Sequence, residues 1–148
     1  MFTYVKGKKM NENKTLLLIK PDAMQKKIIG KIISILEQNN INIIQIKILK
    51  LTQLQAQAFY NDHKNKKFYS ELIEFMTSYN ITALILQTDN INTIQCVRTL
   101  IGDTNYTKAK ENTIRYKFAT SLTKNTVHAS DSITSYIKEN DIIFNDKY

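Results

Sequence analysis

The apolar residues of this chain switch repeatedly between the period of a strand and that of a helix, and this switching restricts the fold more than any other feature. Thr15 to Ile19 is an apolar run of strand length, stopped by Lys20-Pro21-Asp22. The proline forces Lys20 into an extended conformation and suits the start of a turn or helix. Ile28, Ile32, Ile35 and Leu36, with Ile29 and Ile33, then follow helical spacing up to Asn39-Asn40. Ile44, Ile46 and Ile48 alternate with Gln45 and Lys47, the period of a half-buried strand. Thr52 can cap a helix through Leu54, Ala58 and Phe59, and a further helix carries Leu72, Ile73, Phe75 and Met76. Ile81 to Leu86 reads as a buried strand. Asn90 is placed to cap a helix with Ile91, Ile94, Val97 and Ile101 on one face, closed by Gly102.

Asp103 to Thr126 shows little periodicity, and a loop of that length inside a domain is usually functional or disordered. Val127 and His128 resume strand character, Asp131 to Glu139 reads as the last helix, and Asp141 to Tyr148 as a short tail. Few strands alternating with helices predict a mixed α/β chain, a small sheet with helices packed on it. The 148 residues suffice for one core. Residues 1–13 read as a basic extension and residues 14–148 as one domain.

Composition excludes several classes. Cys96 is the only cysteine, so no disulfide framework or cysteine metal site is available, and a reducing, cytoplasmic setting is expected. No apolar run approaches the ~20 residues of a membrane span. A net charge of +8 raises the rival of a basic nucleic-acid-binding module. Against it, the lysines are scattered and the strands lack interleaved aromatics that stack on bases.

In a chain rich in Ile, Asn and Lys, the scarce residue types carry more information. Among 21 basic side chains only Arg98 and Arg115 are arginines. Lysine supplies charge equally well, but only arginine supplies a planar fork of donors that grips a phosphate at two points. Surface cations are the plainer alternative. His128, one of two histidines, directly precedes Ser130-Asp131-Ser132, residues able to start a helix. A histidine at a strand-to-helix junction suits a nucleophile that must meet a phosphate, because free N–H groups and the helix dipole favour negative charge there. A polar histidine in a turn fits the local spacing as well. His63 sits in a lysine-rich polar stretch and reads as a surface residue; Cys96, beside Val97, reads as a small core side chain.

Taken together, these residues resemble the nucleoside diphosphate kinase family over about nine tenths of the chain. The resemblance rests on Lys20-Pro21-Asp22-Ala23, on Tyr60 followed by Phe68, and on Arg98 before Ile101-Gly102-Asp103-Thr104-Asn105. It continues through Thr113-Ile114-Arg115 to Asn125-x-x-His128-x-Ser130-Asp131-Ser132. It implies a ferredoxin-like α/β (α+β) sandwich, a four-stranded antiparallel sheet covered by helices. It also implies ping-pong transfer of the γ-phosphate of a nucleoside triphosphate such as ATP to a nucleoside diphosphate, through a phosphohistidine.

By that resemblance His128 is the nucleophile, Glu139 hydrogen-bonds its imidazole, and Ser130 and Asp131 support the arrangement. Lys20, Tyr60, Arg98, Thr104, Arg115 and Asn125 line the phosphate and ribose site, while Phe68 and Leu122 flank the base. Magnesium is expected on the nucleotide's own phosphates, near Asp131, since no carboxylate cluster resembles a protein metal cage. A homo-oligomer, tetramer or hexamer, is implied too. Three departures from the family pattern bear on loop stability and subunit packing: Tyr106 for a proline, Asn112 for a glycine, and Tyr79-Asn80 for Gly-Pro.

Overall fold

Every residue of β1 (Lys14–Ile19) from Thr15 onward is buried, so this strand lies inside the sheet with cover on both faces. The computed structural model describes residues 13–89, 92–145 and 148. β2 (Asn42–Leu49), β3 (Ile81–Gln87) and β4 (Val127–Ala129) complete an antiparallel sheet in the order β2-β3-β1-β4. The helices are α1 (Pro21–Gln25), α2 (Ile29–Gln38), α3 (Gln53–Phe59), α4 (Tyr69–Thr77), α5 (Thr93–Ile101), α6 (Ile114–Phe118) and α7 (Ile133–Phe144). This is the expected ferredoxin-like arrangement.

Alternation along β1 divides the core in two. Leu16 and Leu18 join Ala83 and Ile85 beneath Phe59 of α3, Met76 of α4 and Ile143 of α7. Leu17 and Ile19 join Leu84 and Leu86 beneath Leu36 of α2, Val97 of α5 and Ile114 of α6. The same alternation aims the nucleophile candidate. Val127 and Ala129 belong to the second core, so His128, paired with Leu18, points to the first face, where its ring meets the Phe59 ring edge-on at 5.0 Å.

Local signals hold where they have a mechanism. Thr52 caps α3 with a full capping box: its hydroxyl accepts from Gln55 N–H at 3.1 Å while Gln55 Oε1 accepts from Thr52 N–H at 3.0 Å. Pro21 is the first residue of α1, after an extended Lys20. Ser132 caps α7, which continues to Phe144, past the Glu139 end read from sequence, because Ile142 and Ile143 are buried. The expected cap Asn90 and its neighbour Ile91 lie outside the described residues, as do residues 1–12 of the basic extension; Asn92 caps α5.

Three expectations change. The stretch from Asp103 to Thr126 contains a 3₁₀ turn, Tyr106–Lys108, and the short α6, capped by Thr113. Five helical residues are too few to display a period. Cys96 is only partly buried. The apolar face of β2 is uncovered within one chain: Ile44, Ile46 and Ile48 are 47%, 51% and 58% exposed on an edge strand. Asn112 stands at φ 69°, a left-handed conformation that asparagine tolerates better than most residues, so it can serve where the family has glycine.

Candidate active site

A cleft of about 850 Å³ opens over the His128 face of the sheet. α3 and the turn after it supply Tyr60, His63 and Phe68; α5 supplies Arg98; the segment between α5 and β4 supplies Thr104, Arg115, Leu122 and Asn125. Lys20 enters from the end of β1, and Glu139 from α7. All ten therefore line the cleft with His128, although they are scattered over the sequence. Ser130 does not line it. It is fully buried and donates its hydroxyl to Glu139 Oε2 at 2.9 Å.

At the centre, His128 Nε2 lies 2.9 Å and 3.1 Å from the two carboxylate oxygens of the buried Glu139. A carboxylate accepts only, so the imidazole carries its proton on Nε2, and Nδ1 keeps a free lone pair. The His128 side chain is 26% exposed, open enough to be reached.

Cations surround this ring. Lys20 Nζ donates to Thr123 O at 2.8 Å and to Asn125 Oδ1 at 2.9 Å. Burial pushes its ammonium down to about 8, Asp22 opposing the shift and Arg115 adding to it. Arg98 Nη1 reaches Ala129 O at 3.3 Å. Arg115 is almost wholly buried; its Nη1 donates to Gly102 O at 3.0 Å and its Nη2 to Val127 O at 2.9 Å, while Nε has no partner. Burial, with Arg98 nearby, lowers its guanidinium to about 10, still cationic at neutral pH.

Polar and apolar groups divide the remaining wall. The Tyr60 hydroxyl is buried without a partner, and burial followed by the Glu139 charge raises its pKa, so it stays a neutral donor. Asn125 Nδ2 donates to Thr104 O at 3.2 Å, tying the two sides of the intervening segment. Phe68 and Leu122 are both largely exposed, two apolar groups at the same opening. On the rim Asp131 accepts from Ser135 Oγ at 2.7 Å, which together with Ser132 lowers its pKa.

Comparisons with known proteins bear on the family and the fold. The family model for nucleoside diphosphate kinase matches residues 13–148. The chain belongs to the nucleoside diphosphate kinase family. It is 45% identical over 130 residues to the nucleoside diphosphate kinase of Histophilus somni (strain 2336), covering 88% of this chain and 91% of the relative. It is 44% identical over 137 residues to that of Staphylothermus marinus, covering 93% and 96%. The crystal structure of the Aquifex aeolicus nucleoside diphosphate kinase superposes with a TM-score of 0.84 at 38% identity, over 89% of this chain and 94% of that one.

Against the fold of this family, His63 corrects the sequence reading. It was expected at the surface, yet it lines the cleft between Tyr60 and Phe68, with ring centroids 6.3 Å and 5.5 Å away, and its Nδ1 is buried without a partner. Burial and the Lys66 charge lower its pKa, so it is neutral at pH 7. The lysines around it hid this: Lys64, Lys66 and Lys67 are exposed, and the 3₁₀ turn Asn61–His63 rotates the histidine inward. Spacing of three from Tyr60 was the only available signal.

Proposed function

We propose that this chain transfers the γ-phosphate of a nucleoside triphosphate to a nucleoside diphosphate through a phosphohistidine on His128. The observation that carries the reading is the Glu139 carboxylate on Nε2 at 2.9 Å, which leaves Nδ1 as the free nitrogen inside a cationic cleft. In the first half-reaction the Nδ1 lone pair attacks the γ-phosphorus and the bond to the β-γ bridging oxygen breaks. The nucleoside diphosphate leaves with that electron pair. The second half-reaction reverses these steps with a new diphosphate, so one site serves donor and acceptor in turn.

Each wall of the cleft has a task. Lys20, Arg98 and Arg115 supply positive charge for the equatorial oxygens of the transferred group. Tyr60, Thr104 and Asn125 orient phosphate and ribose without adding charge. Phe68 and Leu122 offer apolar faces to the base, which is why the reading includes broad base tolerance. Ser130, bonded to Glu139, keeps the carboxylate aimed at the ring.

Among the described residues no group of three or more His, Cys, Asp or Glu could hold a metal ion. That donor set fits magnesium carried by the nucleotide phosphates, with Asp131 as the rim carboxylate able to meet its water shell. The cation would neutralise phosphate charge; His128 and its cationic neighbours do the rest.

We also read the protein as a homo-oligomer of tetramer or hexamer size, working in the cytoplasm. Supporting this, the β2 edge presents Ile44, Ile46 and Ile48 to solvent, an apolar surface that a second copy would cover. No helix among the described residues is long and apolar enough to cross a membrane. The sheet does not support the nucleic-acid rival: the exposed residues of β2 are Asn42, Ile44, Gln45, Ile46 and Ile48, none of them an aromatic that could stack on a base.

Incubation with γ-labelled ATP and no acceptor tests the chemistry. The expected product is an acid-labile, alkali-stable phosphoprotein that discharges on adding a nucleoside diphosphate and is lost in His128→Ala. Label retained in His128→Ala would sink the reading. Light scattering tests the assembly, and a monomeric mass at micromolar concentration would count against it.

A further inference from the structure

Two residues before His128 the backbone adopts a conformation that its sequence does not favour. Val127 N–H donates to Asn125 O at 2.9 Å, closing a γ-turn whose central residue, Thr126, has φ 78°. A β-branched residue at left-handed φ is strained and persists only where its surroundings hold it. Thr126 is fully buried and its hydroxyl has no partner, so its own side chain offers no polar compensation.

What holds the turn comes from the other end of the chain. Asp22 Oδ2 accepts from Thr126 N–H at 3.0 Å, and Lys20 N–H donates to Thr126 O at 2.9 Å. Asp22 is only 5% exposed, and its Oδ1 is buried without a partner. A half-satisfied buried carboxylate is itself unfavourable. An acidic residue needed only to start α1 would stand in solvent, so its burial against Thr126 calls for a further role. Pro21 sets the spacing: it leaves Lys20 extended, with its ammonium on Asn125, and lets Asp22 reach Thr126.

We propose that Asp22 is a positioning residue whose carboxylate pins the strained turn at Thr126, fixing Asn125 on one side of it and the His128 ring on the other. Transfer is sensitive to such placement, since a misplacement of about 1 Å can cost on the order of a hundredfold. Without the clamp, Thr126 relaxes towards negative φ and carries β4, with its nucleophile, out of line. The inference rests on His128 as the reacting group, and the two are tested by different signals.

The experiment compares Asp22→Ala, Thr126→Gly, their double variant and Asp22→Asn by rapid-quench phosphoenzyme formation, steady-state kinetics and thermal melting. In Asp22→Ala the phosphoenzyme should form at least fivefold more slowly than in wild type, with KM changed less than about threefold. Glycine takes positive φ without strain. The double variant should therefore recover to within fivefold of Thr126→Gly, whatever happens to its melting temperature. Asp22→Asn keeps an acceptor for the Thr126 N–H and should stay within about fivefold of wild type.

A loss below fivefold in Asp22→Ala overturns the proposal. So does a double variant no faster than Asp22→Ala. If Asp22→Ala does not fold, the comparison of the double variant with Thr126→Gly decides by the same margin; failure of the double variant to fold makes Asp22 a core residue and also overturns it. Absence of label in wild type would instead remove the phosphohistidine, and the same ratios would be read from turnover.

Discussion

Glu139 and His128 face each other across 2.9 Å, held by a strand on one side and the second turn of α7 on the other. The pair lies eleven residues apart in sequence. In the proposed reaction Glu139 selects which ring nitrogen reacts and stabilises positive charge as the ring is phosphorylated.

Glu139→Gln should therefore slow phosphoenzyme formation by about ten- to a hundredfold with KM nearly unchanged, since a charge-assisted bond contributes about 1.5–3 kcal/mol. Ser130→Ala, which removes only the support at 2.9 Å, should lose less. Single-turnover rates measure both, and equal losses would count against the hierarchy.

Lys20 gives a pH prediction. Its ammonium is at about 8 in the fold against an ordinary 10.5. Below about 8 both folded and unfolded chains carry the proton, and the fold bears the full cost of a buried charge. Between 8 and 10.5 the fold releases its proton while the unfolded chain keeps it, so this cost is relieved as pH rises. Lys20→Met should accordingly raise the melting temperature at pH 7, with the gain shrinking above pH 8. Activity runs the other way: kcat/KM of wild type should fall above about pH 8, and kcat should fall later because bound phosphate restores the proton affinity.

The two arginines separate. Arg98→Lys should slow transfer by roughly ten- to a hundredfold with little change in melting temperature, because the loss is donor geometry. Arg115→Lys should do both, since its two Nη groups hold Gly102 O and Val127 O. Equal melting temperatures for the two variants would contradict that division. Lys66→Arg, at an exposed lysine, is the control.

In the proposed function base recognition rests on Phe68. Purine and pyrimidine diphosphates should differ in efficiency by roughly tenfold or less, about 1.4 kcal/mol. Phe68→Ala should weaken all of them together. His63→Ala should raise KM about three- to tenfold, as one lost hydrogen bond would, with kcat unchanged; a silent variant would return His63 to the surface role first read from the sequence.

Sequence alone made most of the elements, and most of the residues that line the cleft, legible. The Thr52 cap, Pro21 after an extended Lys20, and the apolar run Thr15 to Ile19 each have a local physical cause, so each was legible before any fold. The rare arginines and the junction at His128 were legible for the same reason. Tertiary structure decided what depends on neighbours distant in the chain. Only packing turns His63 into the cleft from within a run of lysines, occupies the Arg115 fork with Gly102 O and Val127 O, and leaves the β2 isoleucines without cover. Only packing brings Asp22 to Thr126, 104 residues away, because local periodicity records which face a residue occupies and not which partner waits there.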